Sequence, residues 1–221
     1  MFDSATVTSA PGHVHLTVPL PSGPLRLLQP DDAAELPDDG GVEWAPLVPY
    51  WSVLWRSGVA LAEEVDGAAL QGLRVVELGC GLGLPSIAAA RAGARVLATD
   101  TSEEALALLG RNARMNDVKL ETARVDWAEP AGLVRRGPFD LVLAADVLYE
   151  RAAVAQLLSL LPRRAPAALI ADPGRPAAEP FLEQAGKRLH LRRKTSRYLS
   201  GARVFIWELC ADISGPQSSS A

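Results

Sequence analysis

The chain has 221 residues, 48% of them hydrophobic, and its 22 basic and 26 acidic side chains give a net charge of −4. This length suits one α/β domain or one domain with an extension, with ample apolar content for a core. The acidic balance argues against a nucleic-acid-binding protein, no apolar run approaches the roughly 20 residues of a membrane span, and the N-terminus lacks the regions of a signal peptide.

The first part of the chain is predicted to be an N-terminal extension, residues 1–44, with a β-hairpin. Residues 1–12 are polar and are expected to be loose, whereas HVHLTVPLPSGPLRLLQP predicts two short strands around Pro21–Pro24. An acidic loop, DDAAELPDDGG, follows. After Pro49, the apolar spacing predicts a helix to about Glu64, on which Trp51 and Trp55 would share one face.

From Arg74 onward, strands alternate with helices. Strands are predicted at 74–78, 94–100, 118–126, 138–146 and 165–172, and helices at 84–93, 102–117, 150–162 and 177–190, with Ser102 as an N-cap. Two further strands, 191–200 and 202–210, are joined too closely for a crossover helix and must pair antiparallel. The fold class is therefore α/β: a Rossmann-like, seven-stranded, mostly parallel sheet with an antiparallel C-terminal hairpin, spanning residues 45–212. Residues 213–221 are predicted to form a disordered tail.

The segment VVELGCGLG contains a glycine-rich turn, with glycines at Gly79, Gly81 and Gly83. No lysine follows it, which excludes a phosphate-binding P-loop, and the glycine spacing differs from that of dinucleotide sites. Glu77 would repel a pyrophosphate but would favour a cation. S-adenosylmethionine (SAM) carries an α-amino group and a sulfonium and no phosphate, so the turn favours SAM, with the glycines allowing close approach of the backbone.

Acidic residues follow the next strands at the same edge of the predicted sheet, where ligands bind in such folds. Asp100, with Thr101 beside it, is placed to accept ribose hydroxyls. Asp126 is placed to accept the adenine amino group, and Trp127 offers a surface for the adenine ring. Asp100 by itself is equally well explained as a turn-forming residue. A SAM site is favoured because suitable residues occur together at three successive strand ends.

The fourth parallel strand leads into Asp146 and Tyr149, in the order Asp-x-x-Tyr. A carboxylate and a phenol side by side could hold an amine, orient its lone pair and help to remove its proton, as methyl transfer to nitrogen requires. We therefore assign Asp146 and Tyr149 as candidate catalytic residues, with Asp146 also touching the cofactor. The alternative is that Asp146 caps the following helix and Tyr149 packs in its first turn.

Three segments together, PYWSVLWRSGVAL, VVELGCGLG and DVLY, resemble the seven-β-strand (class I) SAM-dependent protein-lysine methyltransferases, which are grouped with nicotinamide N-methyltransferase-like proteins. The run IADPGRP and the two tryptophans resemble in particular the subgroup that methylates the β subunit of electron-transfer flavoprotein. This resemblance covers about residues 45–210. It implies a SAM-dependent enzyme with a lysine in a protein as acceptor. It also implies that Asp146 and Tyr149 lie nearest the target amine and that the SAM site includes Trp55, Glu77, Gly79, Gly81, Asp100, Trp127 and Asp146.

Several points stay open in the sequence. Where the flavoprotein-directed subgroup tends to have Pro-Gly-Gly, this chain has Arg56-Ser57-Gly58, so the electron-transfer flavoprotein β subunit is only a candidate partner. A small-molecule N-methyltransferase and a non-catalytic SAM-binding module are the alternatives. Asp172–Pro176 is either a turn or part of the substrate rim. The basic residues between 187 and 197 form either a solvated face or a docking site for an acidic protein.

Other expectations concern metals, thiols and assembly. The three histidines and two cysteines lack metal-ligand spacing, so no metal site is expected. Cys80 and Cys210 are expected to be free thiols, which fits a reducing cytoplasm. The protein is expected to be a monomer, without a nucleic-acid or membrane partner.

Overall fold

A computed structural model describes residues 6–10, 12–33, 49–149, 151–164, 166–199 and 201–210. The acidic loop lies mostly outside the described residues, and the tail at 213–221 and the predicted domain boundaries at 44/45 and 212/213 lie wholly outside them. Within these ranges the chain forms two β-sheets and six α-helices.

The larger sheet has seven strands and matches the predicted topology. The strands are β4 (Arg74–Leu78), β5 (Arg95–Asp100), β6 (Glu121–Arg124), β7 (Leu141–Ala145), β8 (Ala167–Asp172), β9 (His190–Leu199) and β10 (Ala202–Cys210). Their order is β6-β5-β4-β7-β8-β10-β9. The first five are parallel, and β10 pairs antiparallel with both β8 and β9. The prediction of a mostly parallel sheet with an antiparallel C-terminal hairpin is therefore confirmed.

Helices cover both faces of this sheet. They are α1 (Arg56–Val65), α2 (Leu84–Arg91), α3 (Glu103–Met115), α4 (Ala131–Arg136), α5 (Arg151–Arg164) and α6 (Ala178–Gly186). One apolar cluster includes residues of α1, α2 and α3, and the other includes residues of α4, α5 and α6. The Ser102 hydroxyl accepts the N–H of Ala105, so its predicted N-cap role is confirmed.

The N-terminal residues form a three-stranded antiparallel sheet. Its strands are β1 (Thr6–Ala10), β2 (His13–Val18) and β3 (Leu25–Pro30) in that order. The predicted hairpin is present as β2 and β3. The expectation that residues 1–12 are loose is wrong at Thr6–Ala10, because this polar segment pairs along the free edge of β2.

Two local predictions need correction. Trp51 and Trp55 do not share a helix face, because Trp51 belongs to a short 3-10 helix, Tyr50–Ser52, and Trp55 is the N-cap of α1. The strand predicted at 118–126 spans only Glu121–Arg124. Asp126 therefore lies in the turn after the strand and does not close it.

The described residues contain neither a membrane-spanning helix nor a cluster of metal-binding side chains. Among the helices of the described residues, none combines the length and apolar character that crossing a membrane demands. In the same part of the chain, no group of three or more His, Cys, Asp or Glu side chains is arranged to hold a metal ion. Cys80 and Cys210 are free thiols, as predicted.

Candidate active site

A cavity of about 410 Å³ opens at the carboxyl ends of the central strands. Parallel strands place their following loops at one edge of a sheet, which is where ligands bind in this architecture. All the candidate residues from the sequence line this cavity: Trp55, Glu77, Gly79, Gly81, Gly83, Asp100, Thr101, Asp126, Trp127, Asp146 and Tyr149.

The glycine turn forms one wall, and its glycines serve two purposes. A Cβ on Gly79 would lie 3.2 Å from Val147 Cγ1, and one on Gly81 would lie 3.1 Å from the Trp51 carbonyl oxygen, so side chains there would crowd the cavity wall. A Cβ on Gly83 would lie 1.8 Å from Leu109 Cδ1 of α3. The third glycine is therefore required by helix packing as well as by the turn.

Glu77 lines the cavity and is only 1% exposed. The Ser86 hydroxyl donates to its Oε2. Burial raises the pKa of Glu77 to about 8, the Ser86 hydrogen bonds oppose this shift, and the negative charge of Asp100 adds to it. Without a nearby cation the carboxyl is therefore largely protonated at neutral pH, and the negative charge assumed from the sequence develops when a cation arrives.

Asp100 joins the glycine turn to the start of α3. Its Oδ2 accepts the N–H of Gly81 at 3.0 Å, and its Oδ1 accepts the N–H of Ser102 at 3.0 Å. The turn-forming role considered from the sequence is thus real. Each carboxylate oxygen keeps a further lone pair, so Asp100 can also accept hydroxyl groups from a molecule in the cavity.

Asp126 and Trp127 follow β6 and face the glycine turn. The Asp126 Oδ1 accepts the N–H of Ala128 at 2.8 Å, which shapes a tight turn. The Trp127 ring lies close to the glycine wall, with Cζ2 3.4 Å from the position of a Cβ on Gly79. The indole therefore forms an apolar surface beside the turn, suited to a flat ring.

Asp146 occupies the opposite side of the cavity, directly after β7. Its φ of 59° is left-handed, and its N–H donates to the carbonyl of Ala171 at 2.9 Å. Its side chain is buried: Arg175 Nε donates to Oδ1, and the Ser57 hydroxyl donates to Oδ2 at 3.2 Å. These described bonds tie Asp146 to α1 and to the loop after β8. Its side chain therefore does not cap the following helix, which was the alternative considered from the sequence.

Aromatic side chains border the mouth of the cavity. Tyr149 is 36% exposed, and its ring lies 6.2 Å from that of Tyr50. Trp55 Nε1 donates to the Tyr50 carbonyl at 3.0 Å, which fixes the indole in the wall. Trp51 packs against the apolar core, although its backbone also approaches the glycine turn.

Arg175 is the main site residue that the sequence did not identify. Asp172 Oδ1 accepts the N–H groups of Gly174 and Arg175, both at 2.7 Å, and this turn sends the Arg175 side chain into the cavity. Its guanidinium also lies 5.5 Å from the centre of the Trp55 ring. The Asp172–Pro176 segment is thus a turn, which was one interpretation of the sequence. It also places a cation in the cavity, so it is part of the candidate site as well. Ser57 and Tyr50 were also missed.

Asp172 itself is buried behind this loop. Its Oδ2 has no hydrogen-bond partner among the described residues. Burial raises the pKa of Asp172 to about 6, and the charge of Asp146 contributes to the shift while the Gly174 and Arg175 hydrogen bonds oppose it. The carboxyl groups of Asp146 and Asp172 therefore both lie close to the Arg175 guanidinium.

The basic residues between 187 and 197 lie near the C-terminal hairpin, away from the cavity. Several of them are paired with acids: Lys187 with Glu183, Arg192 with Glu208, Lys194 with Glu64, and Arg197 with Glu63 and Glu64. Because much of the cluster's charge is neutralised within the chain, a solvated face explains it better than a docking site for an acidic protein.

Comparisons with known proteins agree with this geometry. A family model described as "Lysine methyltransferase" matches residues 51–169. The chain is 36% identical over 117 residues to Protein N-lysine methyltransferase METTL21A of Danio rerio, covering 50% of this chain and 53% of the relative. It is 35% identical over 137 residues to Electron transfer flavoprotein beta subunit lysine methyltransferase of Xenopus laevis, covering 58% of this chain and 53% of the relative.

A further relative has a different acceptor in its name. Histone-arginine methyltransferase METTL23 of Xenopus laevis is 34% identical over 107 residues, covering 46% of each chain. The chain therefore spans about half the length of the curated relatives it matches. Among solved structures, magnesium protoporphyrin IX methyltransferase from Synechocystis PCC 6803 with bound SAM superposes with a TM-score of 0.58 at 21% identity, covering 69% of this chain and 76% of that one. That likeness concerns the fold.

Proposed function

The chain belongs to the lysine methyltransferase family, and from that premise we propose that it transfers a methyl group from SAM to the side-chain amine of a lysine in a protein. One observation carries the proposal. A single cavity gathers Glu77 with the glycine turn, the Asp100 carboxylate and the Trp127 ring on one side, and Asp146 with two tyrosines on the other.

The residues of the first side fit SAM. When bound, SAM supplies an electrophilic methyl group on a sulfonium. Glu77 and the glycine turn would hold the amino-acid part, because a buried carboxyl gains its charge beside a cation and the glycines leave room for the ligand. Asp100, with Thr101 beside it, would accept the ribose hydroxyls, and Asp126 and Trp127 would receive the adenine.

The residues of the second side fit an amine acceptor. Asp146 Oδ2 would accept a hydrogen bond from the amine, and Tyr149 at the mouth would help to aim it. Asp146 is only 6% exposed, so its carboxylate has little contact with bulk water. No described residue need form a covalent bond with the acceptor, since methyl transfer is a direct displacement that depends on alignment.

The acceptor is tested with lysate from a strain that lacks the gene. Purified protein and SAM labelled in the methyl group are added, and the labelled proteins are hydrolysed to amino acids. We expect labelled methyllysine in one or a few protein bands. Label only in methylarginine, or only in the small-molecule fraction, would contradict a lysine acceptor, and absence of any SAM turnover would favour a non-catalytic binding module.

The electron-transfer flavoprotein β subunit is a candidate substrate, because one relative bears that substrate in its name and the Asp172–Pro176 loop enters the site. Purified β subunit should then acquire methyllysine, and substitution of the modified lysine by arginine should abolish labelling. We further propose that the protein works as a cytoplasmic monomer. Light scattering of the purified protein and fractionation of cells test these two points.

A further inference from the structure

Resting on the proposed lysine acceptor, we propose that Arg175 is a positioning residue that neutralises the Asp146 carboxylate, so that an incoming lysine ammonium loses its proton to solvent water instead of remaining in a salt bridge. Arg175 would act through Asp146 and would not touch the transferred methyl group. Its role belongs to this chain's own site geometry, in which the cation comes from the loop after β8.

The guanidinium is held firmly in the site. Both side chains of the pair are almost fully buried, with 6% of Arg175 and 3% of Asp146 exposed. The backbone of Arg175 is fixed by its bond to Asp172, and its guanidinium lies over the Trp55 ring. A buried cation with these contacts is a permanent part of the wall, unlike a surface arginine that moves freely.

The charge balance decides the protonation of the acceptor. A lysine amine has an ordinary pKa of about 10.4, so nearly every acceptor arrives as an ammonium ion, which has no lone pair for attack. An unpaired buried carboxylate would stabilise that ion further. The Arg175 guanidinium cancels this attraction, while Asp146 Oδ2, bonded only weakly to Ser57 at 3.2 Å, stays able to accept a hydrogen bond from the neutral amine.

Other ionisable groups face the same cavity and must be kept constant in any test. Glu77 and Asp100 lie towards the cofactor end, so saturating SAM is needed to fix their state. Asp172 lies behind the Arg175 loop. The remaining titratable lining side chains are Tyr50, Cys80, Asp126 and Tyr149.

The first test is the pH dependence of kcat at saturating SAM, measured with the protein acceptor that the lysate experiment identifies. In Arg175→Gln we expect the profile to move about one to three pH units higher, since a lost neighbouring charge shifts an amine by that amount. At neutral pH kcat should fall by about tenfold or more, and the acceptor KM should not rise. Arg175→Lys keeps a positive charge beside Asp146, which is what the proposal requires, and should keep the profile within about half a unit of the wild type.

The matched control is Arg192→Gln, which breaks an arginine–glutamate pair on the C-terminal hairpin, outside the cavity. It should leave the profile unchanged. An Arg175→Gln profile with an unmoved midpoint, or a raised KM with unchanged kcat, would overturn the proposal. If Arg175→Gln does not fold, Arg175→Lys decides the matter, because a shift as large as one unit in that variant would also overturn it.

A second test needs no turnover, so it separates this proposal from the proposed function. The protein saturated with S-adenosylhomocysteine is titrated with n-butylammonium chloride, a mimic of the lysine side chain, and binding is followed by NMR. Arg175→Gln should bind this cation about tenfold more tightly than the wild type, because Asp146 is then unpaired. Equal or weaker binding would refute the role of Arg175 even if lysine methylation is established.

Discussion

Asp146 combines a left-handed backbone with a buried ion pair, so its substitutions differ in what they disturb. Asparagine tolerates this backbone, whereas alanine does not. Alanine would also remove the carboxylate that pairs with the buried Arg175 guanidinium, at a cost of about 3–5 kcal/mol. Loss of activity in an alanine variant alone would therefore not distinguish catalysis from stability.

For this reason Asp146→Asn is the informative variant. We expect methyl transfer to fall by about 10²-fold or more, because the asparagine oxygen would accept from Arg175 Nε and its NH2 group, which cannot accept a hydrogen bond, would face the amine and misalign it. SAM binding, measured by calorimetry, should stay close to that of the wild type, since Glu77, Asp100 and Trp127 are untouched. Near-complete loss of SAM binding in a folded Asp146→Asn protein would make Asp146 primarily a cofactor ligand.

Glu77 should couple SAM binding to proton release. Because its pKa is raised to about 8, binding of a cationic ligand near pH 7 should expel a proton. Calorimetry in two buffers of different ionisation enthalpy measures this release. Glu77→Gln should weaken SAM binding by about 10- to 100-fold, the worth of a charge-assisted hydrogen bond, and should show no such proton release.

The same shift makes the stability of the protein depend on pH. A carboxyl whose pKa is higher in the folded than in the unfolded chain holds its proton more tightly in the folded state. For Glu77 this difference stabilises the fold fully below a pH of about 4.5, and the stabilisation is lost as the pH rises through about 8. Asp172 acts in the same direction as pH rises towards about 6. Thermal unfolding between pH 6 and 9 should show the wild type losing stability while Glu77→Gln loses less.

Helix α3 and the glycine turn are packed so closely that they form one structural unit. Gly83→Ala would force a Cβ into Leu109 at a residue with φ of 81°. We expect a loss of about 2–5 kcal/mol, which corresponds to about 5–15 °C in melting temperature for a chain of this size. Gly132→Ala in α4 is the matched control, because its Cβ meets nothing within 4 Å, and it should change stability by less than about 1 kcal/mol.

The elements that the sequence predicted well are those whose pattern is local. Strands β4, β5, β7 and β8 are buried apolar runs, as central parallel strands are. Strand β1 was missed because its polar residues are ordered only by pairing with β2. Helix α4 was missed because its six residues are too few to show a helical period.

The residues of the candidate site also divide into those that a local pattern predicts and those that depend on tertiary packing. The sequence identified the cavity-lining residues near the strand ends, because parallel strands bring their carboxyl ends together at one edge of the sheet whatever the details of packing. The Arg175–Asp146 pair was not found, since it depends on the register of β7 beside β8 and on a turn that aims one side chain. The protonation of Glu77 also could not be read from the sequence, because it follows from the completeness of its burial.

At the scale of the whole molecule, the N-terminal sheet is part of the main core. Its buried residues belong to the same apolar cluster as those of α2 and α3. The fully buried Asn112 of α3 joins it to the glycine turn: its Oδ1 accepts the N–H of Leu28 at 2.7 Å, and its Nδ2 donates to the Leu82 carbonyl at 3.1 Å. The Leu54 N–H also donates to Gln29 Oε1 at 3.2 Å, which links β3 to the segment before Trp55.

Removal of residues 1–33 should therefore abolish the fold and should not simply uncover the site. Six buried leucine and valine side chains would be lost, each worth about 1.5–3 kcal/mol. Their sum is comparable with the whole stability of a typical domain, about 5–15 kcal/mol. Circular dichroism and thermal melting of the truncated chain test this; a cooperative, SAM-binding truncated protein would show that the extension is dispensable.

The bond between Asn112 and Leu28 also bears on how the protein is made. The two residues are 84 positions apart, so strands β2 and β3 emerge from the ribosome long before the helix that receives them. During that interval their apolar faces have nothing to cover them, a situation that invites self-association or chaperone capture. Nascent chains that stall before α3 should be recovered as insoluble material, and stalling beyond α3 should restore solubility.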